Sequence, residues 1–249
     1  MPLERKTKLK YLICNLKANK TYEEMLTYKK IFENLQEKTS QLIFAPSSIY
    51  LPLFKNSNLT LCVQDIALNE KLNLTGDISI NQLKSLDVSY AIIGHYERRK
   101  YYKETEAEIL NKIKDALENE IKVIYCIGEN EEERERKVEY QVLEKQIAKI
   151  FNKLNIEEIK KIIIAYEPTY LIGKDTTYDI LKIRSMILFL KKLIKDYYEV
   201  ELKVVFGGNV NDKNLDELLK LNILDGFIIC SSILNPENIP KIIEKLTTQ

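Results

Sequence analysis

Three ionisable side chains of this 249-residue sequence each follow directly on a short apolar run. Lys17 lies in Cys14-Asn15-Leu16-Lys17-Ala18-Asn19. As a loop lysine it is solvated; fixed at a strand end it is a cation placed where negative charge develops. His95, the only histidine, lies in Ile92-Ile93-Gly94-His95-Tyr96-Glu97-Arg98-Arg99. It is either structural or a catalytic imidazole, and the segment after it can open a short helix. A helix N-terminus disfavours imidazolium and keeps such a ring neutral. Glu167 ends the run before Pro168, which forces the chain out of the strand. A carboxylate there either caps the next loop or serves as a base facing a cavity. A fourth segment, Phe206-Gly207-Gly208-Asn209, is followed one unit later by Cys230-Ser231. Paired glycines allow a ligand to approach the backbone closely.

The elements that must position these groups alternate. Strand-like runs occur at Tyr11–Asn15, Gln41–Ala45, Leu59–Val63, Tyr90–Ile93, Lys122–Cys126, Lys161–Ala165, Leu202–Phe206 and Gly226–Ile229. Stretches such as Ile162-Ile163-Ile164 suit parallel strands buried on both faces. Between them, Tyr22–Glu37 repeats Met25, Tyr28, Ile31 and Phe32 at helical spacing. Ser79 with Gln82, and Thr105 with Glu108, have the spacing of capping boxes. Glu108–Asn119 and Asp179–Tyr197 are amphipathic. Asn211 is expected to open a helix through Leu215, Leu218 and Leu219, and Asn235-Pro236 the last one. Eight βα units without a Pro/Gly-rich linker predict an α/β fold in a single domain, residues 1–249. Periodicity leaves a closed barrel and an open, doubly wound sheet both possible. In a barrel all four segments share the C-terminal mouth, and a phosphate site after strands seven and eight recurs there.

Composition narrows the partners. Hydrophobic residues are 45% and charged residues 30% of the chain, with a net charge of +1. No global field attracts nucleic acid or an anionic membrane, so anion recognition must be local. Cys14, Cys62, Cys126 and Cys230 are far apart in sequence, with no CxxC pair. They predict reduced thiols in a cytoplasmic protein, with neither a zinc nor a redox motif. Met1–Lys10 is basic and polar, which predicts no signal peptide, and no apolar run is long enough for a membrane span.

Taken in order, the motifs resemble those of the triosephosphate isomerase family over nearly the whole chain. They are Asn15-x-Lys17 after strand one, Gly94-His95-x-Glu97-Arg98-Arg99 after strand four and Cys126-Ile127-Gly128-Glu129 after strand five. Ala165-Tyr166-Glu167-Pro168 follows after strand six, and Gly207-Gly208 after strand seven. Val63-Gln64-Asp65 and Leu74-Thr75-Gly76-Asp77-Ile78-Ser79 resemble the family's dimer loop. The resemblance implies a (β/α)8 TIM barrel that interconverts glyceraldehyde 3-phosphate and dihydroxyacetone phosphate through an enediolate. It implies Glu167 as the base, His95 as a neutral electrophile and Lys17 as the cation for enediolate and phosphate. Asn15 positions groups beside Lys17, and Glu97 is the lysine's partner. Backbone groups of Gly173, Asn209, Cys230 and Ser231 hold the phosphate, and Pro168–Thr177 forms a lid that presses Leu171 or Ile172 over Glu167. No metal or organic cofactor is implied. A homodimer is, with the Thr75 loop entering the neighbouring subunit near Asn15 and His95.

The chain departs from the family around the lid and the phosphate. Tyr96 replaces a serine that holds the resting base. Tyr170 replaces the lid tryptophan, and Lys174-Asp175-Thr176 replaces a Thr-Gly-Lys run. Phe206 lacks a lid-latching hydroxyl, and Asn209 stands for a serine. Cys230-Ser231 replaces a glycine pair, so side chains intrude where phosphate is expected. Asp65 replaces an asparagine and brings a negative charge to the expected interface. Two alternatives follow: isomerisation of a related ketose phosphate such as a tetrulose phosphate, or a non-catalytic barrel that binds phosphorylated ligands.

Overall fold

The computed structural model describes residues 10–35, 41–69, 74–173 and 179–247. The strands are β1 (Tyr11–Asn15), β2 (Leu42–Ala45), β3 (Thr60–Val63), β4 (Val88–Ile93), β5 (Lys122–Ile127), β6 (Ile162–Tyr166), β7 (Lys203–Phe206) and β8 (Gly226–Ile229). All neighbours pair in parallel, and β1 pairs with both β2 and β8, which closes the barrel. The choice left open between a barrel and an open sheet is thus decided. The helices are α1 (Tyr22–Glu33), α2 (Ile80–Lys84), α3 (Tyr96–Tyr101), α4 (Glu106–Glu118), α5 (Glu131–Glu135), α6 (Glu139–Phe151), α7 (Ile156–Ile159), α8 (Ile180–Tyr198), α9 (Leu215–Lys220) and α10 (Asn238–Thr247).

Side-chain alternation in the strands builds two apolar layers. Ile13, Ile43, Cys62, Ile92, Ile124, Ile163, Val205 and Ile228 form one cluster, consistent with the barrel interior. Their strand neighbours, such as Leu12, Cys14, Val123 and Ile164, join the larger core with the helices. Burial on both faces is why these strands read as continuous apolar runs rather than alternating ones.

Strand ends differ from the sequence expectation by two residues at most; β4 starts at Val88 and β6 runs one residue further, to Tyr166. Both expected capping boxes form, at Ser79–Gln82 and Thr105–Glu108. α1 ends at Glu33, short of Glu37. α9 begins at Leu215, later than Asn211, because Asn211–Asn214 forms a turn whose Asn211 carbonyl accepts from Asn214 N–H and Leu215 N–H. α10 likewise begins at Asn238, after the turn that Asn235-Pro236 starts. Capping boxes at Asn130–Glu133 and Asn155–Glu158 open α5 and α7, neither of which was named from sequence.

Candidate active site

β1, β4 and β6 end at one rim, and each delivers one of the three ionisable groups. Lys17 follows β1 with φ of 53°, a left-handed conformation that costs a non-glycine residue free energy. Three hydrogen bonds hold this turn. Lys17 N–H donates to Asn15 Oδ1 at 3.1 Å, and Gln64 Nε2 donates to Lys17 O at 2.9 Å and to Ala45 O at 3.0 Å. Gln64 was read only as part of a loop motif; a buried-facing amide between two strand ends is the signal that identifies it as a support for Lys17.

The Lys17 ammonium pairs with Glu97 Oε1 at 2.8 Å. Burial lowers the pKa of Lys17, but the Glu97 hydrogen bond and nearby negative charge outweigh it and hold the ammonium above its ordinary value. Burial raises Glu97 in turn, and the Lys17 hydrogen bond and charge overcome that to hold the carboxyl below its ordinary range. The pair is therefore ionised at neutral pH.

His95 caps α3, and its Nδ1 accepts from Glu97 N–H at 3.3 Å. A ring nitrogen that accepts carries no proton, so the neutral ring carries its proton on Nε2. That nitrogen lies 3.5 Å from Glu167 Oε1. Gly94, with φ of 75°, turns the chain from β4 into this cap, and Arg99 donates to its carbonyl at 2.7 Å while pairing with Glu106 at 2.6 Å.

Glu167 is 4% exposed, and its Oε2 has no hydrogen-bond partner among the described residues. Its backbone is anchored from β5: Glu167 N–H donates to Ile127 O at 2.8 Å, and Thr169 N–H to Glu129 O at 2.9 Å. The buried Glu129 carboxylate accepts from the Tyr166 hydroxyl at 3.0 Å. Gly128 has no room for a Cβ, which would collide with the Glu167 carbonyl. Buried Cys126 also adjoins the base, for after burial itself the Glu167 charge is the next cause that raises its thiol pKa. The sequence motif Cys126-Ile127-Gly128-Glu129 is thus the platform beneath Glu167.

These groups meet in a cavity of about 240 Å³, sized for a small molecule. Its wall includes Asn15, Lys17, His95 and Glu167, together with Gly173, Asn209, Cys230 and Ser231 from the expected phosphate edge. Of the expected site residues only Glu97 lies behind the wall, where it contacts Lys17 and His95. Ile172 borders the cavity, whereas Leu171 is buried in the core. The rest of the expected lid, Lys174–Thr177, lies outside the described residues.

The glycine pair answers to protein packing as well as to any ligand. A Cβ on Gly207 would meet Ile228 Cγ2 at 2.5 Å and Glu167 Cγ at 2.9 Å, and one on Gly208 would meet the Phe206 ring at 2.5 Å. Asp65 is compensated: it pairs with Lys112 at 2.8 Å and Arg98 at 2.9 Å. Among the described residues, no group of three or more His, Cys, Asp or Glu is placed to hold a metal ion. No helix among them is long and apolar enough to cross a membrane.

A closed parallel barrel with a carboxylate, an imidazole and an ammonium around one small cavity at its strand ends has the architecture of a barrel enzyme of the acid–base class. Residues 10–246 match the family pattern described as triosephosphate isomerase. A protein of that name from Dictyoglomus thermophilum is 32% identical over 245 residues, covering 94% of this chain and 98% of the relative. Proteins of that name from Alkaliphilus oremlandii and Aspergillus oryzae are each 32% identical; the alignments cover 92% and 89% of this chain, and 96% and 92% of those relatives. The chain belongs to the triosephosphate isomerase family.

Proposed function

We propose that this protein interconverts D-glyceraldehyde 3-phosphate and dihydroxyacetone phosphate as a cytoplasmic homodimer of a single domain, residues 1–249, without metal or organic cofactor. The observation that carries the reading is the 3.5 Å separation of Glu167 Oε1 and His95 Nε2, in one cavity with Lys17. A base that near a neutral donor can take a proton from a carbon while the adjacent carbonyl oxygen accepts a hydrogen bond.

In this reading Glu167 removes the proton from the carbon beside the carbonyl and returns it to the neighbouring carbon. His95 donates from Nε2 to the oxygens of the enediolate, and Lys17 supplies fixed positive charge. Asn15 holds the Lys17 turn, and Glu97 holds the ammonium. Gly173, Asn209, Cys230 and Ser231 receive the phosphate. A lid from Pro168 to Thr177 closes over the site and excludes water, which strengthens every charge interaction inside.

The dimer reading rests on a second hollow of about 310 Å³ beside the first, bordered by Lys17, His95 and Glu97 and by this chain's own Gly76, Asp77 and Ile78. It is where the partner's Thr75 loop is proposed to enter. Thr75 and Gly76 are exposed in the single chain, as is Leu74.

The test is a turnover assay with glyceraldehyde 3-phosphate and, in parallel, erythrulose phosphates. Fast isomerisation of the triose supports the proposal. Activity confined to the four-carbon sugar would move the assignment to a related ketose phosphate, for which the added Cys230 and Ser231 side chains at the phosphate edge are the motive. Silence on both would leave a phospholigand-binding barrel.

A further inference from the structure

Tyr96 is the first residue of α3 and borders the site cavity directly after His95. Its hydroxyl donates to Glu97 Oε1 at 3.1 Å, the same oxygen that accepts Lys17 Nζ at 2.8 Å. The ammonium of Lys17 lies 5.2 Å from the centroid of the Tyr96 ring, within cation–π range. The same ring packs against His95 with centroids 4.8 Å apart. Burial raises the phenol pKa to about 12, so it is a neutral donor through the neutral range.

The physical need for such a group is plain. Lys17 hangs on four rotatable bonds, and Glu97, its one carboxylate partner among the described residues, has a side chain 33% exposed. A carboxylate reached by water turns readily unless its oxygens are claimed. Tyr96 claims Oε1 jointly with Lys17, and its ring closes one side of the ammonium. These contacts all lead to the cation and the imidazole; the base, Glu167, keeps an unpartnered Oε2 among the described residues.

Building on the isomerase reading, we infer that Tyr96 is a positioning residue of this active site, holding the Glu97–Lys17 pair so that the ammonium faces bound phosphorylated substrate. Position 96 therefore tunes anion affinity. Its removal raises KM and weakens phosphate binding by more than it slows turnover.

The experiment compares wild type, Tyr96→Phe and Tyr96→Leu by calorimetric titration with inorganic phosphate and by steady-state kinetics on glyceraldehyde 3-phosphate. Tyr96→Phe deletes one oxygen and keeps the ring; it is expected to weaken phosphate binding about threefold. Tyr96→Leu removes the ring as well and is expected to weaken it about tenfold. KM rises in step, and kcat falls by a smaller factor than KM rises. In a Glu97→Ala background, where the hydroxyl has no carboxylate to hold, Tyr96→Phe is expected to change phosphate affinity no further. Unaltered phosphate affinity and KM in Tyr96→Phe would overturn the inference. So would an equal loss in the Glu97→Ala background, or a fall in kcat alone. If phosphate binding depends on Tyr96 but the wild type does not isomerise the triose, the proposed function fails and the positioning of Lys17 stands.

Discussion

A single carboxylate carries the proposed chemistry, and its reach is set by one methylene. Glu167→Asp draws the carboxylate back by about 1 Å, and a misplacement of that size costs about a hundredfold in rate. We expect kcat to fall by at least that much while the thermal unfolding midpoint stays within a few degrees; unchanged turnover would remove Glu167 as the base. The Lys17–Glu97 pair makes a pH prediction of definite sign. Glu97 is held below its ordinary value of 4.5, so its contribution is present above the unfolded pKa and disappears as pH falls through the folded one. Lys17 is held above 10.5, so its contribution is complete below that value and disappears as pH rises through the folded pKa. The difference in unfolding midpoint between wild type and Glu97→Gln should accordingly be flat from about pH 5 to about pH 9 and shrink on the acid side. A difference that grows on acidification would contradict the pairing. Residue types at these positions were legible because each broke an apolar run. Tyr96 was read as the loss of a serine, since nothing in a linear sequence reveals that its hydroxyl reaches Glu97.

Within the elements, the site depends on how closely β5 and β6 approach. Gly128 sits where a Cβ would strike the Glu167 backbone, and no flexible side chain can yield there. Gly128→Ala should therefore destabilise the fold by about 1–3 kcal/mol and depress kcat, because the strand end that carries Glu167 must shift. Chemical denaturation and kinetics on the same preparation check both halves, and wild-type values for each would show the contact to be soft. α4 offers a contrasting test, remote from the chemistry. Its Thr105 cap accepts from Glu108 N–H while Glu108 Oε2 accepts from Thr105 N–H at 2.6 Å. Thr105→Ala should cost about 1 kcal/mol of stability and leave kcat/KM alone. That capping box was readable as a Thr followed three residues later by Glu. α5 was harder to see, because Glu131–Glu135 offers charge without an apolar stripe, although Asn130 and Glu133 have cap spacing. None of its residues is buried, so no apolar periodicity marked it in the sequence.

At the level of the whole molecule, two subunits are expected to complete each site. Thr75→Arg places a long cation in the loop proposed to enter the partner, beside a hollow already edged by Lys17 and Arg98. Light scattering should then report about 29.2 kDa in place of twice that mass, with a large loss of activity. A dimeric, active Thr75→Arg protein would reject that loop as the interface. Asp65 adds to the same surface through its pairs with Lys112 and Arg98, so Asp65→Asn should loosen it by leaving Lys112, itself 3% exposed, with one carboxylate fewer.

Local sequence determined the alternation of strand and helix, because burial on two faces forces continuous β-branched runs and burial on one forces helical periodicity. It also marked Lys17, His95 and Glu167, since a charged or titratable group at the end of such a run is out of place in a core. Closure of the sheet was beyond it: pairing of β1 with β8 joins residues more than two hundred positions apart, and the same apolar faces would serve an open sheet equally well. Only that closure brings three strand ends around one cavity, sets Glu167 beside His95, and converts the Asp65 charge from an exposed liability into a partner for two cations. Distances and charge balance of this kind depend on every element at once, whereas propensity and periodicity are properties of neighbours along the chain.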